Sequence, residues 1–213
     1  MSKKILVIGR SGSGKSASLR NFAKGEVGII SVQGKELPFK SDVPTFAPKV
    51  NEKTFNKYPD VMAAIKNAKA KVLVIDDANY LMSDEFMNRS GERGYEKFTQ
   101  LAQNFYQMLQ YCDDLPDDTT VYIMMHYELD ADGYEKPKTI GKLLDEKIVI
   151  EGLFTTVLKA ACINGEYVFI TRTAGNDCIK APIGMFQDTQ VPNDLKAVDR
   201  IIREYYGMEI PYE

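Results

Sequence analysis

Residues 4–16 read KILVIGRSGSGKS. The run at 4–8 is short and apolar and is ended by Gly9, which predicts a buried strand followed by a turn. The next residues match G-x-x-x-x-G-K-[ST] through Gly9, Gly14, Lys15 and Ser16. A helix is expected over 15–23, so the motif stands between a strand and a helix, the setting its mechanism requires. Glycines let backbone N–H groups turn inward around phosphate oxygens. Lys15 can then reach the β- and γ-phosphates, and the Ser16 hydroxyl can ligate Mg²⁺. The helix would point its positive end at the same anion. The expected nucleotide-binding residues are Gly9, Arg10, Ser11, Gly12, Ser13, Gly14, Lys15, Ser16 and Ala17, with ATP and Mg²⁺ as ligands. The base stays open between adenine and guanine.

A phosphate loop needs an acidic partner at the end of another buried strand. Residues 72–77, VLVIDD, supply it. Asp76 fits the Walker B role of holding Mg²⁺ through water, which makes Ser16 and Asp76 the metal residues. Asp77 either orients or deprotonates the attacking water or caps a strand-to-loop turn. Residues 120–126, TVYIMMH, form a strand expected beside the Walker B strand and ending at His126. A neutral imidazole there can donate to a phosphate oxygen or position water. A purely structural histidine at a strand end is the alternative. The candidate catalytic set is Lys15, Asp76, Asp77 and His126.

The remaining pattern builds outward from these strands. Residues 27–32 (VGIISV) read as a strand, 33–57 as mostly loop, and 60–70 as a helix with Val61, Ala64, Ile65 and Ala68 on one face. Residues 95–112 carry a continuous apolar stripe through Phe98, Leu101, Ala102, Phe105, Met108, Leu109 and Cys112. The polar stretch 127–147 reads as a long loop with a helical turn. Strands at 154–163 and 166–173 are joined at Asn164-Gly165, a hairpin signal. Asn193 is the expected cap of a last helix whose stripe runs Leu195, Val198, Ile201, Ile202 and Tyr205, and Gly207 stops it. Strands alternating with helices imply an α/β fold, a mainly parallel sheet flanked by helices, with an antiparallel hairpin at the C-terminal edge. One P-loop domain over 1–213 is expected from the length.

Composition narrows the function classes. The 213 residues are 44% hydrophobic and 27% charged, with net charge −3, so no strongly basic footprint marks nucleic acid as a partner. No run of 18 apolar residues suggests a membrane helix. The opening MSKKILVIG lacks a cleavable-signal pattern, and Cys112, Cys162 and Cys178 show no C-x-x-C spacing. A cytoplasmic setting is expected. A single histidine argues against a zinc site built from His and Cys. The guanine motif N-K-x-D does not occur, since Asn56-Lys57 is followed by Tyr58-Pro59, and L-S-G-G-Q is absent.

The order of these pieces, together with GRSGSGKS, VLVIDDANYLMSDEFMNRSGERGYEKFTQL, YIMMHYE, KTIGKLLDEKIVIEGLF and FITRTAGNDCIKAPIGMF, resembles the RecA-like ATPase core. Over most of residues 4–207 the chain is similar to the small bacteriophage P-loop ATPases grouped with RecA-like single-strand-annealing proteins. That resemblance implies an ATPase working with single-stranded DNA in phage recombination or replication, beside phage replication or recombination proteins, in the host cytoplasm. It implies loops facing DNA at 83–94 and 127–147, where Tyr80, Phe86, Tyr95 and Tyr127 could stack on bases. It also implies a homo-oligomer in which a neighbour's Lys142, Lys147 or Arg172 completes the site. The sequence departs from RecA in lacking an evident catalytic glutamate after the second strand, although Glu36 is nearby. Residues 127–147 are not basic either: Glu128, Asp130, Asp132, Glu135, Asp145 and Glu146 stand against Lys136, Lys138, Lys142 and Lys147. Two other readings stay open. One is a kinase for a nucleotide or small molecule, which would usually carry an arginine-rich lid. The other is an ATP-controlled switch or loader with little turnover.

Overall fold

The structure, a computed structural model, describes residues 1–212, with the side chains of Asp145 and Glu146 outside the described set. Its strands are β1 (Lys3–Ile8), β2 (Val27–Ser31), β3 (Thr45–Phe46), β4 (Val72–Asp76), β5 (Thr120–Met125), β6 (Tyr127–Leu129), β7 (Glu135–Pro137), β8 (Thr156–Ile163), β9 (Glu166–Ile170) and β10 (Gln190–Pro192). Its α-helices are α1 (Tyr58–Asn67), α2 (Asn79–Asn88), α3 (Glu96–Asp113) and α4 (Leu195–Tyr206). Eight strands form one sheet in the order β10-β9-β8-β1-β5-β4-β2-β3. From β8 to β3 every neighbouring pair is parallel, whereas β9 and β10 are antiparallel additions at the C-terminal edge.

Period-two alternation along the central strands builds two cores. Leu6 and Ile8, Leu73 and Ile75, and Val121, Ile123 and Met125 face α1, α2 and α3. Ile5 and Val7, Val72 and Val74, and Tyr122 and Met124 face Leu19, Phe22 and the α4 residues Leu195, Val198 and Ile202. Because both faces are covered, β1, β4 and β5 read as unbroken apolar runs, as expected for buried parallel strands. The expected hairpin turn is present: Ile163 pairs with Glu166, and Asn164 (φ 52°) and Gly165 (φ 85°) both take left-handed backbone. That is the pattern a two-residue type I′ turn demands.

Four expectations need correction. The helix after the phosphate loop is a short 3-10 helix, Ser16–Asn21. The Ser18 hydroxyl donates to the Lys15 carbonyl (2.6 Å), and the Ser18 N–H is shared between Gly14 (3.0 Å) and Lys15 (3.3 Å) carbonyls. Such local bonding by serine tightens a turn at the expense of an α-helix. The axial dipole expected there is therefore weak, and the loop N–H groups carry the anion affinity. Second, the first half of 83–94 is helix, because α2 runs through Asn88. Its helical period is disguised by a buried carboxylate: Glu85 accepts from Arg89 Nη1 (2.8 Å) and Asn104 Nδ2 (2.9 Å). Third, residues 127–147 contain the β6–β7 ribbon, with Tyr127 opposite Pro137, and a π-turn at Leu143–Lys147. Of the charges counted in that stretch, Asp145 and Glu146 lie outside the described side chains. Fourth, the cap of α4 is Asp194, whose side chain accepts from the Lys196 and Ala197 N–H groups (3.0 and 3.2 Å). Gly207 stops the helix in left-handed backbone, φ 64°.

Candidate nucleotide-binding site

The sheet order places the end of β5 between the ends of β1 and β4. The residues leaving these three strands, Gly9, His126 and Asp77, therefore converge at one edge. Around them is a cleft of about 500 Å³ lined by the phosphate loop, Asp76, Asp77 and His126, with Ser31, Lys35, Glu36 and Pro38 on the opposite wall. Arg10, Ser11, Gly12, Gly14, Lys15, Ser16 and Ala17 all line it. Gly9 lies beneath the loop, and Ser13 faces a smaller hollow on the far side, beside Tyr127 and Lys159.

Two glycines are required by packing. A Cβ on Gly9 would collide with the Ser13 hydroxyl and stand 2.9 Å from the Ala160 carbonyl oxygen. Gly14 has φ 95°, and a Cβ there would lie 2.8 Å from the Tyr167 ring. The loop thus folds back over β8 and against β9 in a way only glycine permits.

Lys15 is buried and donates to the carbonyl oxygens of Gly9 (2.8 Å) and Arg10 (3.1 Å). Burial pulls its pKa below the usual lysine value, partly offset by Asp77 and Asp76. Ser16 Oγ donates to Asp76 Oδ2 at 2.6 Å, joining the loop to the Walker B strand. Burial raises the Asp76 pKa, and the Ser16 hydrogen bond opposes the rise. Asp76 Oδ1 is buried without a hydrogen-bond partner. A carboxylate with one oxygen on a serine hydroxyl and the other unpartnered fits a hard cation completed by phosphate and water oxygens. Among the described residues no cluster of three or more His, Cys, Asp or Glu could hold a metal, which favours shared coordination over an all-protein cage.

Asp77 takes left-handed backbone, φ 60°, uncommon for a residue other than glycine. The turn delivers its carboxylate to Lys35 Nζ (2.9 Å) and His126 Nε2 (3.4 Å). Burial lowers the His126 pKa, with the Lys15 cation next in effect and Asp77 opposing. The ring is therefore neutral at pH 7. Its backbone N–H donates to Asn79 Oδ1 (3.0 Å), and Tyr80 packs edge-on at 6.0 Å.

Sequence reading missed Lys35, Asn79 and Tyr167 and left Glu36 unassigned. Lys35 and Glu36 lie in a stretch without periodicity, and only the fold brings it across the cleft. Lys142, Lys147 and Arg172 do not line the cleft of their own chain; Arg172 donates to the Phe186 carbonyl (3.2 Å). Of the aromatic candidates, Tyr80, Phe86 and Tyr127 pack against the core, and Tyr95 is 88% exposed.

No protein-family model and no curated protein matches the chain. A solved KaiC-like protein from the hyperthermophilic archaeon Pyrococcus horikoshii is similar at 15% identity and a TM-score of 0.40, over 78% of this chain and 76% of that one. The fold is read from the sheet itself. The phosphate-loop strand and the Walker B strand are separated by β5, helices cover both faces, and an antiparallel pair closes the C-terminal edge. The chain has an α/β fold, a mainly parallel sheet flanked by helices with the phosphate-loop motif directly after its first strand.

Proposed function

We propose that residues 1–213 act as one P-loop domain that binds Mg-ATP and hydrolyses it. The observation that carries this reading is the convergence of Lys15, Ser16, Asp76, Asp77 and His126 on one cleft beneath a glycine-built loop. Phosphate oxygens replace the Gly9 and Arg10 carbonyls as acceptors for Lys15 Nζ. Ser16 Oγ and, through water, the Asp76 carboxylate would hold Mg²⁺, which would neutralise phosphate charge. Water attacks the γ-phosphorus, the bond to the β-phosphate oxygen breaks, and Asp77 takes the water proton. Neutral His126 has one N–H to give and donates it to the departing phosphate. Glu36, exposed on the facing wall, is the other carboxylate within the cleft.

The resemblance stated above extends the proposal to single-stranded DNA, phage replication or recombination proteins and a homo-oligomer, in the host cytoplasm. Its support in this molecule is local. Arg10 and Lys159 lie over the Tyr127 ring at 5.5 and 5.1 Å, at the start of the β6–β7 ribbon. An aromatic ring among cations suits an unpaired strand. Among the described residues no helix is long and apolar enough to cross a membrane.

Phosphate release from ATP at fixed Mg²⁺, with and without single-stranded DNA, tests both parts, with Lys15→Ala as control. Stimulation by DNA that is lost in the control is the expected result. Turnover without stimulation removes DNA from the reading and keeps the ATPase. Phosphate transferred to a small acceptor makes the protein a kinase, and tight ATP binding with no turnover makes it a switch.

A further inference from the structure

A second groove, about 660 Å³, runs beside the phosphate loop and is lined by Ala17, Arg20, Glu166, Tyr167, Val191 and Asn193, among others. Ala17 and Tyr167 border both this groove and the phosphate cleft. The chemistry of the two hollows differs. The cleft ends in Asp76, Asp77, His126 and Lys35, all suited to phosphate and cation chemistry. The groove sets Tyr167, Val168, Val191 and Pro192 beside Arg20 and Glu166, and its size falls within the roughly 300–1,000 Å³ typical of small-molecule sites.

We propose that this groove is the nucleoside subsite, with the base stacked on Tyr167 along the β9–β10 edge. The inference rests on the reading that the loop holds the phosphates. The γ-phosphate end of the ligand is then fixed by Asp76 and His126, and the nucleoside leaves past Ala17. The competing exit runs past Lys35, Glu36 and Pro38; each route carries one cation and one carboxylate, Arg20 and Glu166 in the groove, and what favours the groove is the half-exposed Tyr167 ring beside the unpartnered Asn193 amide.

Three features of the groove fit that occupant. Tyr167 is 50% exposed, and its Cδ1 would lie 2.8 Å from a Cβ on Gly14, so a half-exposed aromatic ring stands beside the phosphate loop. Arg20 Nη1 donates to the carbonyl oxygens of Ala17 (3.1 Å) and Asn193 (2.6 Å), which locks a guanidinium beside the groove. Asn193 is 1% exposed, and neither its amide nitrogen nor its oxygen has a partner. These two atoms lie 3.1 and 3.2 Å from where a Gly14 Cβ would stand. A buried carboxamide left wholly unpartnered is rare and calls for an explanation. At the seam between loop and groove it offers one donor and one acceptor to a nucleotide.

The test compares calorimetric affinity for ATP and for inorganic tripolyphosphate, both with Mg²⁺, in wild type, Tyr167→Ala and Tyr167→Phe. Wild type should bind ATP more tightly than tripolyphosphate. Tyr167→Ala should weaken ATP by about 10-fold, within the range of base–aromatic stacking, and leave tripolyphosphate unchanged. Tyr167→Phe should restore ATP affinity. Equal weakening of both ligands would make Tyr167 only a buttress of Gly14 and overturn the proposal, as would no weakening of either. Wild type binding the two ligands equally would overturn the groove and spare the phosphate site. Binding of neither would overturn both.

Discussion

Two buried polar clusters occupy opposite parts of this molecule, and they are satisfied to different degrees. Around Asp199, nothing is left over. Its Oδ1 accepts from Thr120 Oγ1 (2.6 Å) and Tyr122 OH (2.7 Å), and its Oδ2 accepts from Arg203 Nε (2.6 Å) and Tyr212 OH (2.7 Å). Arg203, fully buried, spends its remaining N–H groups on the carbonyls of Asp118, Glu209 and Lys71 and on Thr120 Oγ1. All five guanidinium donors are used. Burial, with Asp199 next, pushes the Tyr122 hydroxyl far above its usual pKa, so it stays a donor. Around Asp76 the picture reverses. Asp76 Oδ1, Ser13 Oγ and both amide atoms of Asn193 are buried without partners. Lys15 rests on backbone carbonyls, and Asp77 holds strained left-handed backbone. The first cluster closes on itself and ties α4 and the chain end to the sheet. The second is arranged for atoms that a ligand brings, and its desolvation is a cost to the fold.

The largest effect is expected at the closed cluster. Asp199→Ala strands the Arg203 charge and should cost about 3–5 kcal/mol of stability, read as a lowered urea midpoint. A loss below 1 kcal/mol would erase the contrast. Next comes Lys15→Ala, which should lower ATP turnover about 100- to 1,000-fold, the usual result of removing one preorganised donor. Its urea midpoint should stay near wild type, because a buried cation is removed along with its desolvation cost.

Asp76→Asn sharpens the contrast further. A carboxyl whose folded pKa is raised binds its proton more tightly folded than unfolded. Stability therefore falls as pH rises from the unfolded value through the folded one. Above the folded pKa that cost is fully present, so Asp76→Asn should raise the urea midpoint while abolishing turnover. A lowered midpoint would mean that Asp76 is a structural acid like Asp199. The smallest effect is at His126. Its pKa is lowered on folding, so the unfolded chain takes a proton that the folded chain resists, and stability falls as pH drops through about 6.5. His126→Gln should flatten that slope between pH 7.5 and 5.5. An unchanged slope would mean that the ring is already solvated.

Much of this was legible in the chain. The phosphate loop, VLVIDD and TVYIMMH carry their chemistry at strand ends, and a strand end is a local pattern. Asn164-Gly165 fixed a turn by backbone conformation alone. What escaped notice had no local signal. Helix α2 hides its period behind buried Glu85, the β6 and β7 strands pack too little apolar surface to alternate clearly, and β3 is only two residues long. The cap of α4 lay one residue from the expected Asn193, because Asn193 is drawn under the phosphate loop.

The sequence by itself determined that a strand would end in a phosphate-cradling loop, that a second strand would end in paired acids, and that alternation would bury both sheet faces. These follow from side-chain period and from the few backbone conformations that glycine alone reaches. Only the tertiary structure decided that β5 lies between β1 and β4, which brings His126 to Asp77. It also decided that Lys35 and Glu36 face the loop across the cleft, and that Tyr167 and Asn193 lie against Gly14. Residues separated by many tens of positions meet there because strand order and crossovers carry them, and neither is written in any short stretch of the chain.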